Sequence, residues 1–159
     1  FERWFGDERL EDLSIPVKIV ATNVSTMEEE VFTQGKIVDC LLASIAIPGL
    51  LPAHKIGDHY YLDGGITNTT PVDTLKRYKN VIAIDFPVRS SPLKQPTMLE
   101  SLFLAYEVAR SQSARNSKAT LIRPEPVKGV QILRFDKSKE HIEQGARELR
   151  NKYKHLAKP

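Results

Sequence analysis

Cysteine is nearly absent from this chain. The one copy, Cys40, has no second thiol to pair with, which excludes a disulfide-built secreted scaffold and a cysteine-rich zinc site. No apolar run approaches the ~20 residues that a membrane-spanning helix needs. Neither sign of charge dominates. The net charge is +3 and the pI about 9.0, too slight a bias to imply nucleic acid, and no nucleic-acid partner is expected. Internal repeats and low-complexity tracts are missing. So are an initiating methionine and the n- and h-regions of a signal peptide. The chain enters at Phe1-Glu2-Arg3-Trp4-Phe5, which reads as the interior of a longer protein.

What is present suits one domain. The chain has 159 residues, a length at which folding buries roughly 70% of the unfolded surface. Hydrophobic residues at 41% and charged residues at 27% exclude a disordered tail and a fibrous repeat. Strand and helix patterns alternate, which points to an α/β domain. Residues 17–22 read as a strand, apolar on both faces and therefore central. Residues 30–33 pair back on it across the polar turn 25–28. Residues 36–46 are almost continuously apolar and end at Pro48-Gly49, as a short buried helix would. Residues 59–63 form a strand stopped by Gly64-Gly65. Pro71 suits the first turn of a helix carrying Val72, Leu75 and Tyr78. Residues 81–86 read as another buried strand. Thr97-Met98-Leu99-Glu100 has the capping-box pattern, and the helix after it sets Leu99, Leu102, Phe103, Tyr106 and Ala109 on one face. Residues 119–122 and 130–133 read as strands. A last helix carries Ile142, Ala146, Leu149, Tyr153 and Leu156 at helical spacing. Its basic end (Arg147, Arg150, Lys152, Lys154, Lys158) contrasts with the acid-rich first 40 residues. It offsets the helix dipole or attracts an anionic lipid surface.

The sharpest local feature is Asp63-Gly64-Gly65. Adjacent glycines allow positive φ and close backbone approach where a strand ends. The carboxylate stands at the carboxyl end of that strand, the edge where open α/β sheets bind ligands. Asp-Gly is equally a common turn dipeptide, so these three residues alone leave a turn and a site both open.

The surroundings add to this. Ala43-Ser44-Ile45-Ala46-Ile47-Pro48-Gly49 precedes the segment, Tyr61-Leu62 leads into it, and Ile66-Thr67-Asn68-Thr69-Thr70-Pro71-Val72 follows. Residues 43–72 resemble the patatin-like phospholipase family, and most closely its bacterial and neuropathy-target-esterase-like members; the resemblance extends over nearly the whole chain, through Ala21-Thr22-Asn23, the segment from Phe32 to Gly35, the strand 81–86 and the late helix with Gly145. The resemblance implies a three-layer α/β/α domain on a largely parallel sheet. It also implies a serine lipid acyl hydrolase that works through a Ser–Asp dyad, with Asp63 as the catalytic aspartate of the Asp63-Gly64-Gly65 motif. A carboxylate beside a serine hydroxyl can accept or orient its proton during attack on an ester, without the histidine of a triad. The family's nucleophile sits in a G-x-S-x-G elbow. None of the eight glycines here has a glycine four residues later, so the elbow is absent. The chain is expected to be the back part of one patatin-like domain, incomplete, with residues 1–159 forming a single unit and the N-terminal segment of that domain as a partner. It is expected to be inactive alone. A lipid or acyl-ester substrate, transient contact with a membrane surface, a cytoplasmic or peripheral location, and no metal or organic cofactor complete the expectation.

Other residues are weaker candidates. Ser44 lies in an apolar helix without an elbow. His54 and His59 flank Asp58 but lack a third ligand. His141 and His155 fall on the polar side of the last helix, Cys40 reads as a small core residue, and Asp85 as a cap or turn. The apolar loop 48–53 packs into the core or lines an acyl-chain groove. Two rivals remain: a non-catalytic lipid-binding or protein-interaction module that keeps the back half of the fold, and an unrelated α/β domain whose Asp63 is only a turn residue.

Overall fold

A computed structural model describes residues 1–86, 95–113, 119–125 and 137–154. Its architecture grows from strand β1 (Ile19–Asn23), which lies between β2 (Glu28–Phe32) and β4 (His59–Asp63), with β3 (His54–Ile56) outermost. All five residues of β1 are buried, as an apolar sequence with both faces covered requires. Ile19 and Ala21 face helix α2 (Ile37–Ser44) and join Leu10, Ile37, Cys40, Ala43 and Tyr61 in the core. The alternate residues, Val20 and Thr22, meet the 3₁₀ turn Gly64–Ile66. Ala21 and Ala43 are each 0% exposed, so two small side chains set the close approach of α2 to the strand.

β2 pairs back on β1 as expected, but the sheet departs from the largely parallel one that the resemblance implies. β1–β2, β1–β4 and β3–β4 are all antiparallel. Connection length accounts for β1–β2 and β3–β4, because neighbours joined by a hairpin must run antiparallel. Asn23 builds the first hairpin: its Oδ1 accepts from the Ser25 and Thr26 amides, and Met27 takes a positive φ of 60°. Gly57-Asp58 builds the second, with Gly57 at φ 59°. This places His54 on a strand. The parallel pairing is confined to β5 (Ile82–Ile84) and β6 (Thr120–Ile122).

A short helix α1 (Glu2–Phe5) packs near α2. Pro71 precedes a 3₁₀ turn, Val72–Leu75, rather than a longer helix. Lys18 reaches across to that turn, its Nζ donating to the Thr74 carbonyl at 2.7 Å. The capping box forms as expected at the start of α3 (Met98–Ser113): the Thr97 amide donates to Glu100 Oε2, and the Glu100 amide to Thr97 Oγ1. Two expectations of burial fail. Ile82 and Ile84 are 54% and 57% exposed, since only the Ala83–Asp85 side of β5 is covered. Helix α4 (Ser138–Lys152) has no buried residue; polar contacts such as Lys152 with Glu125 at 2.8 Å tie it to the segment after β6. The expected strand 130–133, Leu156 and His155 lie outside the described residues. The described molecule is thus a mixed α/β domain, with α2 on one side of β1 and the Gly64–Ile66 turn, backed by α3, on the other.

Two substitutions of opposite sign test this packing in urea denaturation. Ala43→Leu should cost about 1–3 kcal/mol, because the α2–β1 contact has no spare volume. Gly145→Ala should gain about 0.5–1 kcal/mol, since Gly145 is inside α4 with nothing within 4 Å of a Cβ there.

Candidate active site

Strand β4 ends in Asp63, and its backbone is held from both sides. The Asp63 amide donates to the Ala46 carbonyl at 3.0 Å. Its own carbonyl accepts from Thr22 Oγ1 at 2.9 Å, and that hydroxyl also lies 3.0 Å from Thr67 Oγ1. The end of α2, the central strand and the segment after the turn therefore converge on one residue.

The side chain is fixed just as closely. Asp63 Oδ1 accepts from the Gly65 amide at 2.7 Å, capping the 3₁₀ turn, and from the Tyr106 hydroxyl at 3.1 Å. Among the described residues no hydrogen bond reaches Oδ2. Arg110, one turn beyond Tyr106 on α3, adds its charge to both groups. Its Nη2 lies 3.4 Å from Glu107 Oε2 and 3.4 Å from the Phe86 carbonyl. Thr69 Oγ1, 3.1 Å from the Gly65 carbonyl and 2.5 Å from that of Arg110, joins the turn to α3.

Neither glycine of the motif has a positive φ, so that part of the expectation is corrected, whereas the close backbone approach is borne out. A Cβ at Gly64 would run into the Val20 carbonyl group, with the carbonyl carbon only 2.8 Å away. A Cβ at Gly65 would stand 2.9 Å from both Asp63 Oδ1 and the Tyr106 hydroxyl.

Burial pushes the Asp63 carboxyl above the ordinary carboxylate range. The Gly65 amide, the Tyr106 hydroxyl and Arg110 pull the other way and do not cancel it. Burial and the neighbouring Asp63 carboxylate likewise push the Tyr106 phenol up, so it stays a hydrogen-bond donor. Such a carboxylate is a better base than a solvated one and is fixed in direction.

The other candidates do not join it. Ser44 ends α2, half-buried, with no hydrogen bond to Asp63, His54 or His59 among the described residues. His54 Nε2 lies 3.2 Å from Asp39 Oδ1, His59 is exposed at the start of β4, and the described residues hold no metal-binding cluster. His141 is exposed on α4. Cys40 is a buried core thiol, pushed up to about 11 by burial. Asp85 is a buried anchor, 2.9 Å from Arg123 Nε and 3.4 Å from Thr70 Oγ1. The loop 48–53 is not core: Leu50 and Leu51 are exposed, and the chain at Gly49 passes over Leu99 and Leu102 of α3. Sequence reasoning set Tyr106 on an apolar helix face and passed over Arg110. Their one-turn spacing, with a tyrosine whose polar end needs a partner once buried, was the available signal.

The family model described as Patatin-like phospholipase matches residues 1–76, which include Asp63-Gly64-Gly65 and Pro71-Val72. Residues 1–76 are thus similar to that family. An uncharacterised NTE family protein of Mycobacterium tuberculosis is 34% identical over 67 residues, covering 42% of this chain and 19% of that protein. Patatin-like phospholipase domain-containing protein 7 of Mus musculus is 32% identical over 85 residues, or 51% of this chain and 6% of that protein. The neuropathy target esterase sws of Drosophila melanogaster is 31% identical over 85 residues, with the same two shares. The match thus spans 19% or less of the length of these relatives. Helix α3, with Tyr106 and Arg110, lies beyond the patatin-like match.

The raised Asp63 carboxyl has a consequence for stability. Between the ordinary carboxylate value and the raised one, the folded state binds more protons than the unfolded, so stability falls as pH rises through that window. Asparagine keeps the Oδ1 acceptor and removes the titration. Asp63→Asn should therefore match the wild-type Tm near about pH 3 and exceed it at about pH 7. Gly64→Ala, by contrast, should cost about 1–3 kcal/mol at any pH, through its collision with Val20.

Proposed function

We propose that this chain is the aspartate-bearing back part of a single patatin-like domain, a lipid acyl-ester hydrolase in which Asp63 is the partner of a serine nucleophile. What supports the reading is the Asp63 carboxylate at the end of β4, with Oδ1 tied down, Oδ2 without a protein donor among the described residues, and basicity raised by burial. In the proposed reaction Oδ2 takes the serine proton as the serine oxygen bonds to the ester carbonyl carbon. The carbon–oxygen bond of the ester then breaks, the proton passes to the departing alcohol, and water releases the acyl group by the reverse sequence. Nucleophile and oxyanion donors come from the N-terminal segment of the same domain, since no G-x-S-x-G occurs here. The substrate class is a lipid or other acyl ester, met at a membrane surface from the cytoplasm. Exposed Leu50, Leu51, Met98 and Leu99 suit that meeting. No helix of the described residues is long and apolar enough to cross a membrane.

The absent elbow also favours a second reading, a lipid-binding or interaction module without catalysis. Ester hydrolysis separates them. The 159-residue chain should not hydrolyse p-nitrophenyl butyrate above a heat-killed control. In the protein encoded by the parent reading frame, Asp63→Asn should lower kcat by about 10²–10⁴-fold with KM little changed and the fold intact. Near-wild-type turnover in that variant would overturn the dyad, and an inactive parent would leave the module.

A further inference from the structure

We infer that Tyr106 is a positioning residue for Asp63: from α3 its hydroxyl joins the Gly65 amide on Oδ1, which turns Oδ2 toward the nucleophile, with Arg110 one turn on steadying the charge. The inference deepens the dyad reading and rests on it for its catalytic meaning.

Geometry carries it. A carboxylate with two donors on one oxygen has its plane and its remaining lone pairs set in direction. Here the donors come from opposite sources, the backbone of the turn and the side chain of a separate helix, at 2.7 and 3.1 Å. Tyr106 is only 8% exposed, so its hydroxyl is committed to a protein partner, and Asp63 is that partner. Gly65 supplies the room, since a side chain there would press on both members of the bond at 2.9 Å. Among the described residues, the groups acting on Asp63 are few. The turn presents the Gly65 amide, β1 presents the uncharged Thr22 hydroxyl to the backbone carbonyl, and α3 presents Tyr106 and Arg110. Glu107 stands beside Arg110 and offsets part of its charge. Helix α3 lies outside the patatin-like match, so nothing in that likeness assigns the role.

The test is a carboxyl titration of Asp63 by carbon-13 NMR in the 159-residue chain, with a kinetic arm in the parent protein. Tyr106→Phe removes a donor to the charged form, so the Asp63 titration should move to higher pH while the melt stays cooperative. An unmoved titration overturns the inference. Where loss of the hydroxyl unfolds the chain, 3-fluorotyrosine placed at 106 keeps the ring and strengthens the donor. The titration should then move to lower pH, and no movement again overturns it. In the parent, Tyr106→Phe should lower kcat/KM about tenfold, the loss of one hydrogen bond, and shift the acidic limb of the pH profile upward. A purely structural tyrosine would leave that limb in place, which would overturn the inference. Asp63→Asn separates the two claims. If it spares turnover the dyad fails, whereas a moved titration still locates the Tyr106 bond.

Discussion

The approach of Gly64 to the Val20 backbone is the contact on which the rest of the site depends. β1 is buried on both faces, and the face opposite α2 is covered by main chain rather than by another helix's side chains. Only a residue without a Cβ can lie there. Because it does, β4 can stop at Asp63 and fold at once into a 3₁₀ turn, with the Asp63 side chain capping that turn. The cap fixes Oδ1 within the turn. Gly65 then leaves the gap through which Tyr106 arrives. The order of causes runs from sheet packing to turn, from turn to carboxylate, and from carboxylate to helix α3.

Charge at Asp63 is a contest in which burial prevails. Three groups favour the ionised form, yet the carboxyl remains above its ordinary range. Among the described residues, all the hydrogen bonding to the carboxylate falls on one oxygen. A second set of donors on Oδ2 would stabilise the anion further and make it a poorer base. An acid meant only to cap a turn would gain from being fully satisfied. A base meant to accept a proton needs an oxygen with a lone pair to spare, and the asymmetry between Oδ1 and Oδ2 has that form.

Much of this was legible in the residues. Mostly apolar character on both faces marked β1 as central, and the run 36–46 ending in Pro-Gly marked α2. Thr97 and Glu100 announced the start of α3, because each of these signals is local. Gly57-Asp58, a hairpin dipeptide, was available and unread, which hid β3. The β1–β2 hairpin was legible in the polar turn between them, but the direction of β4 beside β1 was not, because no local signal encodes how strands far apart in sequence pair, and the parallel sheet was expected from the resemblance alone. Ile82 and Ile84 were placed inside because apolar content does not encode which side of a strand is covered. Asp63-Gly64-Gly65 was found, and of the two reasons expected for its glycines the close backbone approach holds and the positive φ does not; the approach is to Val20, 44 positions earlier by subtraction of the residue numbers. Tyr106 was 43 positions from its partner, and no pattern within α3 names that partner.

Helix α3 couples the two halves of the proposed chemistry. Its first turns carry Leu99 and Leu102 beneath the apolar loop at Gly49, and its later turns carry Tyr106 and Arg110 at the carboxylate. At about 1.5 Å per residue, Leu99 and Tyr106 are about 10 Å apart along one rigid axis. An ester carbonyl placed at Oδ2 would need an acyl chain of about that length to reach the exposed leucines. A loop fixed to the sheet alone could drift relative to the base, but a loop resting on α3 cannot move far without disturbing Tyr106. Apolar recognition and proton transfer would then share a single mechanical support. The stiffness of α3, secured by its capping box at one end and by the contact of Thr69 with Arg110 nearer the other, becomes a condition for holding substrate and base in register.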